Sequence, residues 1–260
     1  MDGFFDIPLP LIFLLSLIAL LGAIEVGRLI GIRTVGRAKN NLATMEASSL
    51  GLLALMIGFT FSIALSSFDS RRIAVLEEAN TITTTALRAR MLPAPHNAEI
   101  LNLLREYARI RLDVAQKQSS PSELEAVIAR SNAINEMLWQ RAKMVAAKDT
   151  AMVPTGLFIQ SLNDMITTQA KRLTAVYDRV PTSVLLALYG IAIVACAFVG
   201  YADAREAQTR PSRLPMYIVG VTIAAVILLI QDLDRPRSGF ITVNQQPMID
   251  AAASLASYKD

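Results

Sequence analysis

The chain has 260 residues, 53% of them hydrophobic and 18% charged, with a mean hydropathy of +0.42. That balance fits poorly with an ordinary soluble domain. The formal charge of +3 does not point to nucleic acid, because the 15 Lys or Arg and 12 Asp or Glu between Asp69 and Arg179 interleave at helical spacing, as on a solvated face. The single cysteine, Cys196, excludes an internal disulfide framework or a cysteine-built zinc site and reads as small apolar packing.

Four stretches reach the roughly 20 apolar residues that cross a bilayer. The first is Ile7–Ile24. It follows MDGFFD, whose two aspartates and missing Lys or Arg are the reverse of a signal-peptide start, so it is predicted to be a span. Glu25 closes it, with Arg28 one turn on as its natural partner. The second span, Ala47–Phe68, carries no charge. Within it Leu52, Leu55, Phe59, Ser62 and Ser66 recur at steps of 3, 4, 3 and 4, so they share one helix face, apolar at first and hydroxylated later. Such a face serves ordinary helix packing, helped by Gly51, Ala54 and Gly58, or lines a pore in which Leu55 and Phe59 form a constriction that gates by dewetting.

No breaker ends the second span, and its helix is predicted to continue to Met91. Glu77, Thr81, Thr84 and Arg88 form a polar stripe along it. The prolines of LPAP then stop it. A helix from about Asn97 carries Ile100, Leu104, Tyr107 and Val114 near helical period. SPSE supplies a capping box, with Ser120 as N-cap, Pro121 at N1 and Glu123 at N3. The next helix buries Leu124, Val127, Ile128, Ile134 and Leu138. A further one, about Thr155 to Asp178, carries Leu162, Met165, Ile166, Leu173 and Val176. The third span is Val180–Tyr201 and the fourth is Leu214–Gln231, which runs into DLDRPRSGF.

The predicted fold is an all-α membrane protein: four transmembrane helices with a helical bundle inserted between spans 2 and 3. Its parts are residues 1–68 (spans 1 and 2), 69–179 (bundle), 180–231 (spans 3 and 4) and 232–260 (a membrane-proximal turn and C-terminal segment). An even number of spans puts the bundle and both termini on one side of the membrane. The flanking basic residues do not choose that side: Arg28, Arg33, Arg37, Lys39, Arg205, Arg210 and Arg213 face Arg71, Arg72, Arg88, Lys171, Arg172, Arg179, Arg235 and Arg237, and the basic-free N-terminus tips it slightly outward.

Phosphate-binding, dinucleotide, zinc-protease and nucleophile-elbow motifs are all missing. The lone histidine, His96, sits between prolines and a helix start, as in a surface turn. Glu77–Glu78 and Asp232–Asp234 offer two acids each and no histidine, too few for a metal site. No cofactor, metal or catalytic residue is predicted. An enzyme would have to rest on Glu25, Glu77 and Asp232, with no nucleophile–base pair to name.

Two segments carry a family resemblance. GFTFSIALSSFDSRR (58–72) with EEAN (77–80), and DLDRPRSGFITV (232–243), resemble the bacterial bestrophin-like family, which is distantly similar to true bestrophins. Those are pentameric ion channels whose second membrane helix lines the pore, and Gly58–Phe59, Phe68 and Arg72 stand at matching intervals. The resemblance implies a homo-oligomer, a pentamer, passing inorganic ions within membrane lipid, with the bundle in the cytoplasm. Phe59 and Leu55 match two hydrophobic neck positions, while the third falls on Gly51. Pro236 and Gly239 match the turn after the fourth span, but no acidic run follows, so the calcium clasp of animal bestrophins is not implied.

The residues named for a pore are therefore Leu52, Leu55, Phe59, Ser62 and Ser66. Those named for a junction between membrane and bundle are Asp69, Arg71, Arg72, Glu77, Asn80, Asp232, Asp234, Arg235, Pro236 and Gly239, with Asp232 or Asp234 expected to pair with Arg71 or Arg72. The competing reading is a non-conducting, membrane-anchored interaction or sensory module acting through its bundle.

Overall fold

The computed structural model describes residues 8–34, 42–116, 121–148, 153–206, 213–235 and 239–258. Among them the regular structure is helical throughout. In chain order the helices are α1 (Leu9–Arg33), α2 (Leu42–Ala89), α3 (His96–Gln116), α4 (Pro121–Ala146), α5 (Val153–Tyr177), α6 (Thr182–Glu206), α7 (Leu214–Leu233) and α8 (Gln246–Ser257). Four stretches are long and apolar enough to cross a membrane, within α1, α2, α6 and α7. The first helix runs past the predicted end at Ile24 because nothing up to Arg33 breaks it. Arg28 meets Glu25 at 3.7 Å, as their spacing predicts. The helix α2 is continuous over 48 residues and stops just before the prolines that follow Leu92, as expected. The predicted N-cap Ser120 lies outside the described residues, and Pro121 takes the first helical position, where its missing N–H costs nothing.

The chain forms two compact units, each discontinuous in sequence. One comprises Met1–Phe68 and Arg179–Thr242. Its core joins Leu20 and Ile24 of α1, Ala64 of α2, Leu188, Ala192 and Cys196 of α6, and Ala224 and Ile227 of α7. Inside it the Tyr189 hydroxyl is 2.7 Å from Ser16 Oγ and accepts from Gln231 Nε2 at 2.8 Å, linking α1, α6 and α7 through polar groups that hydrocarbon alone would leave unpaired. Where α1 crosses α6, the backbones touch. A Cβ on Gly27 would stand 1.9 Å from the Ala197 carbonyl oxygen, and one on Gly200 would stand 1.9 Å from that of Ile24.

The other unit comprises Asp69–Asp178 and Val243–Asp260. Its core is built from Ile82 and Ala86 of α2, Leu101 and Leu104 of α3, Ile134 and Leu138 of α4, Phe158, Leu162 and Met165 of α5, and Met248, Ala251 and Leu255 of α8. The predicted stripes of α3, α4 and α5 supply the core in part, with Leu124, Val127, Ile128, Ile166, Leu173 and Val176 only half-buried. The side chain of Val114 is outside the described residues. His96 opens α3 with its ring half-buried, 3.8 Å from Glu99. The C-terminal helix α8 is held at its end by Arg105, whose Nε and Nη2 donate to the carbonyls of Leu255 (3.0 Å) and Tyr258 (2.7 Å). A cation there complements the negative end of the helix dipole. Arg90 lies 4.8 Å over the Tyr258 ring, close enough for a cation–π contact.

Candidate functional site

The part of α2 within the first unit has two unlike faces. Leu53, Thr60, Ala64 and Ser67 are buried, and Thr60 returns its hydroxyl proton to the Met56 carbonyl at 2.7 Å. The opposite side carries Leu52, Leu55 and Phe59, exposed by 50%, 55% and 60%, followed by exposed Ser62 and Ser66. All five predicted pore residues therefore share one uncovered face of a single chain. Gly51 and Gly58 lie beside it with nothing within 4 Å of a would-be Cβ. The face is thus apolar in its first half and hydroxylated in its second.

At the end of α7 the acidic residues are used locally. Both oxygens of Asp232 accept backbone N–H groups, from Phe240 at 2.6 Å and Ile241 at 3.0 Å. Gly239 permits this closure, since a Cβ there would stand 2.5 Å from Asp232 Oδ1. Asp234 Oδ1 accepts from the Val180 N–H at 2.9 Å, tying the end of α7 to the approach to α6. Asp232, Asp234 and Arg235 are all buried. Asp232 and Gly239 thus meet in one turn, while Pro236 lies outside the described residues. Asp232 uses both carboxylate oxygens to close that turn. Replacing Gly239 by alanine is expected to break both N–H contacts and lower the melting temperature of the detergent-solubilised protein by several degrees, whereas Gly58→Ala, in open space, leaves it unchanged.

In the second unit the named junction residues other than Arg71 lie at the surface. Asp69 and Arg72 face each other at 3.9 Å and are both exposed. Arg71 is buried and donates from Nη1 to the Asp178 carbonyl at 3.3 Å. Glu77 meets Lys171 at 3.5 Å in solvent, and Asn80 is exposed. The focus of this unit is instead Glu78, whose side chain is fully buried between Arg111 of α3 and Arg172 of α5. Arg111 donates Nε to Oε1 at 2.6 Å and Nη2 to Oε2 at 3.2 Å, and Arg172 donates Nη1 to Oε2. The Tyr107 hydroxyl lies 3.2 Å from Glu78 Oε1 and 2.9 Å from Gln169 Oε1. Asn135 donates to that same Gln169 oxygen at 2.6 Å, and Gln169 donates in turn to Asn132 at 2.9 Å. Arg172 also reaches Gln245 at the start of α8, 3.2 Å away. Five helices, α2, α3, α4, α5 and α8, meet through this network.

Burial alone would raise the Glu78 carboxyl, but the two guanidiniums outweigh it and hold the group below its ordinary value. Burial first, then the negative charge of Glu78, pushes the Tyr107 phenol well up, so it stays a neutral donor. Among the described residues no group of three or more His, Cys, Asp or Glu side chains is placed to hold a metal ion.

A family model described as the Bestrophin-like domain matches residues 13–248. The chain belongs to the bestrophin-like family. Among solved structures it is similar to a bacterial bestrophin homologue from Klebsiella pneumoniae carrying one substitution, at 17% identity over 96% of this chain and 99% of the other, with a TM-score of 0.69. A second substituted form of that Klebsiella protein gives 16% identity over 91% and 94%, with a TM-score of 0.66. The form solved by zinc phasing gives 17% identity over 94% of each chain, with a TM-score of 0.65. At such identities the likeness is one of fold. No curated protein matches the chain. Family and spans together make this a multipass membrane protein.

Two features of this bestrophin-like chain escaped the sequence reading although signals for them were present. Tyr107 and Arg111 are polar residues on the same α3 face as Ile100 and Leu104, and Asn135 interrupts the apolar stripe of α4. Polar groups within an apolar stripe announce a buried network. Gly27 and Gly31 form a G-x-x-x-G pattern in α1, the usual mark of closely packed membrane helices.

Proposed function

We propose that this bestrophin-like chain assembles into a homo-oligomeric ring, a pentamer, in which α2 of each copy lines a path for inorganic ions across the bacterial inner membrane. The observation that carries the reading is the uncovered face of α2. Leu52, Leu55 and Phe59 stand exposed on one side of a helix whose other side is packed into its own unit. Around a ring axis, repeated leucine and phenylalanine side chains make a hydrophobic collar, and Ser62 and Ser66 make a hydrated mouth. True bestrophins, to which the family is distantly similar, use their second membrane helix in this way. The bundle and both termini are assigned to the cytoplasm.

The collar makes a direct prediction. Purified protein in liposomes is expected to pass small inorganic ions, and Phe59→Ala, which widens and wets the collar, raises that flux several-fold without altering the melting temperature. Phe59 sits outside the packed core, so its loss removes no internal contact. A monodisperse monomer in mild detergent with no flux from either form would overturn the reading and leave the non-conducting module in its place.

A further inference from the structure

We propose that an anionic phospholipid binds in the trough between α1 and α6, with an acyl chain along the trough and its phosphate at Arg33. The trough holds about 450 Å³ and is lined by Gly27 and Ile30 of α1 and by Val194, Ala197, Phe198 and Tyr201 of α6. That volume falls within the roughly 300–1,000 Å³ of small-molecule sites. It exists because Gly27 has no side chain where the two backbones touch, so the crossing leaves a furrow instead of a ridge. Its walls are Ile30 and Val194, both about half exposed at 51% and 52%. Both helices are long and apolar enough to cross a membrane, where an open apolar furrow can take up a hydrocarbon chain.

One end of the furrow is polar and carries an exposed cation. The Tyr201 hydroxyl accepts from Thr34 Oγ1 at 3.2 Å, which fixes the end of α1 over the last lining residue. Arg33, exposed, lies one turn beyond Ile30 and therefore on the same face of α1. Two nearby acids among the described residues are engaged with other partners: Glu25 accepts from the Tyr217 hydroxyl and meets Arg28 at 3.7 Å, and Asp203 meets Arg28 at 3.9 Å. An apolar channel that ends in hydroxyls and an exposed guanidinium complements a long hydrocarbon tail joined to a phosphate. A phosphatidylcholine carries the same tail and phosphate, but its choline cancels the charge that Arg33 recognises.

The test uses the full-length protein, purified in mild detergent, stripped of lipid and offered equal amounts of phosphatidylglycerol and phosphatidylcholine. Native mass spectrometry then counts the lipids retained. The wild type is expected to retain phosphatidylglycerol several-fold over phosphatidylcholine and to melt higher in its presence. Arg33→Gln, an exposed change that leaves the fold intact, should reduce phosphatidylglycerol to the phosphatidylcholine level. Val194→Trp and Ile30→Trp, which fill the trough from its exposed walls, should lower retention of both lipids. Equal retention of the two lipids by the wild type would overturn the proposal. So would undiminished retention by the folded tryptophan variants, or efficient cross-linking between copies through Val194→Cys, which would put a second chain in the trough.

Discussion

Replacing Glu78 by alanine is expected to cost the second unit about 3–5 kcal/mol, the range for removing one partner of a buried ion pair. Among the described residues Glu78 is the only acid that Arg111 and Arg172 meet in the network, and the side chains of both arginines are largely buried, at 4% and 12% exposure. Without the carboxylate, two guanidiniums remain in the protein interior with their main acceptor gone. Glu78→Gln keeps the shape and loses the charge, so it should fall close to alanine. The adjacent Glu77→Gln is the control. Glu77 pairs with Lys171 in solvent at 3.5 Å, a type of contact worth about 0–1 kcal/mol. Thermal unfolding in detergent separates the two, and equal melting temperatures for the Glu77 and Glu78 variants would remove the network from its central place.

The same carboxylate sets an acid limit. Its folded-state titration lies below the ordinary value of 4.5, so its contribution to stability is complete above that value. It is lost as pH falls through the lowered folded value, where the unfolded chain binds the proton first. The wild type should therefore lose stability on acidification in that window, and Glu78→Gln should show a flatter profile there from a lower starting point.

The second large effect is expected at the crossing of α1 and α6. Gly27→Ala or Gly200→Ala places a methyl group 1.9 Å from a carbonyl oxygen of the facing helix, and that backbone oxygen cannot rotate aside as a side chain does. The helices must part, which removes contacts along Leu20, Ile24, Ala192 and Cys196. Overpacking a side-chain core costs about 1–3 kcal/mol, and a backbone clash should exceed that, giving a sharp fall in the yield of folded protein from the membrane fraction. Gly51→Ala is the matched control, because its Cβ meets nothing within 4 Å. Normal yield of Gly200→Ala would mean that the crossing is looser than these distances.

Which parts of this were legible beforehand follows from how far apart the interacting residues lie. The α2 stripe was readable because helical period alone relates Leu52, Leu55, Phe59, Ser62 and Ser66. Glu77 and Glu78 could not be told apart that way. They are neighbours of the same type, turned roughly 100° from each other on the helix, and the choice between them is made by Arg111 and Arg172, 33 and 94 residues away. The glycine pattern of α1 was visible, but its meaning depends on Gly200 in another helix. For Asp232 the sequence shows the charge and hides the two backbone N–H groups, of residues 240 and 241, that donate to its carboxylate. Met248, Ala251 and Leu255 do repeat at helical spacing in α8, yet twelve residues are too few to say where such a helix docks.

The interleaving of the two units has a consequence for how the protein is made. Ile82 of α2 and Leu255 of α8 end in the same core, yet about 170 residues separate them, including α6 and α7. At the roughly 5–20 residues per second of synthesis, that gap lasts on the order of ten to thirty seconds. During that time the apolar faces of α3 and α5 wait for α8 while α1 waits for α6. Neither unit can mature before the other has been partly built, so the nascent chain carries two half-finished cores at once. Its demand for insertase and chaperone protection should peak after the bundle emerges and before α8 does.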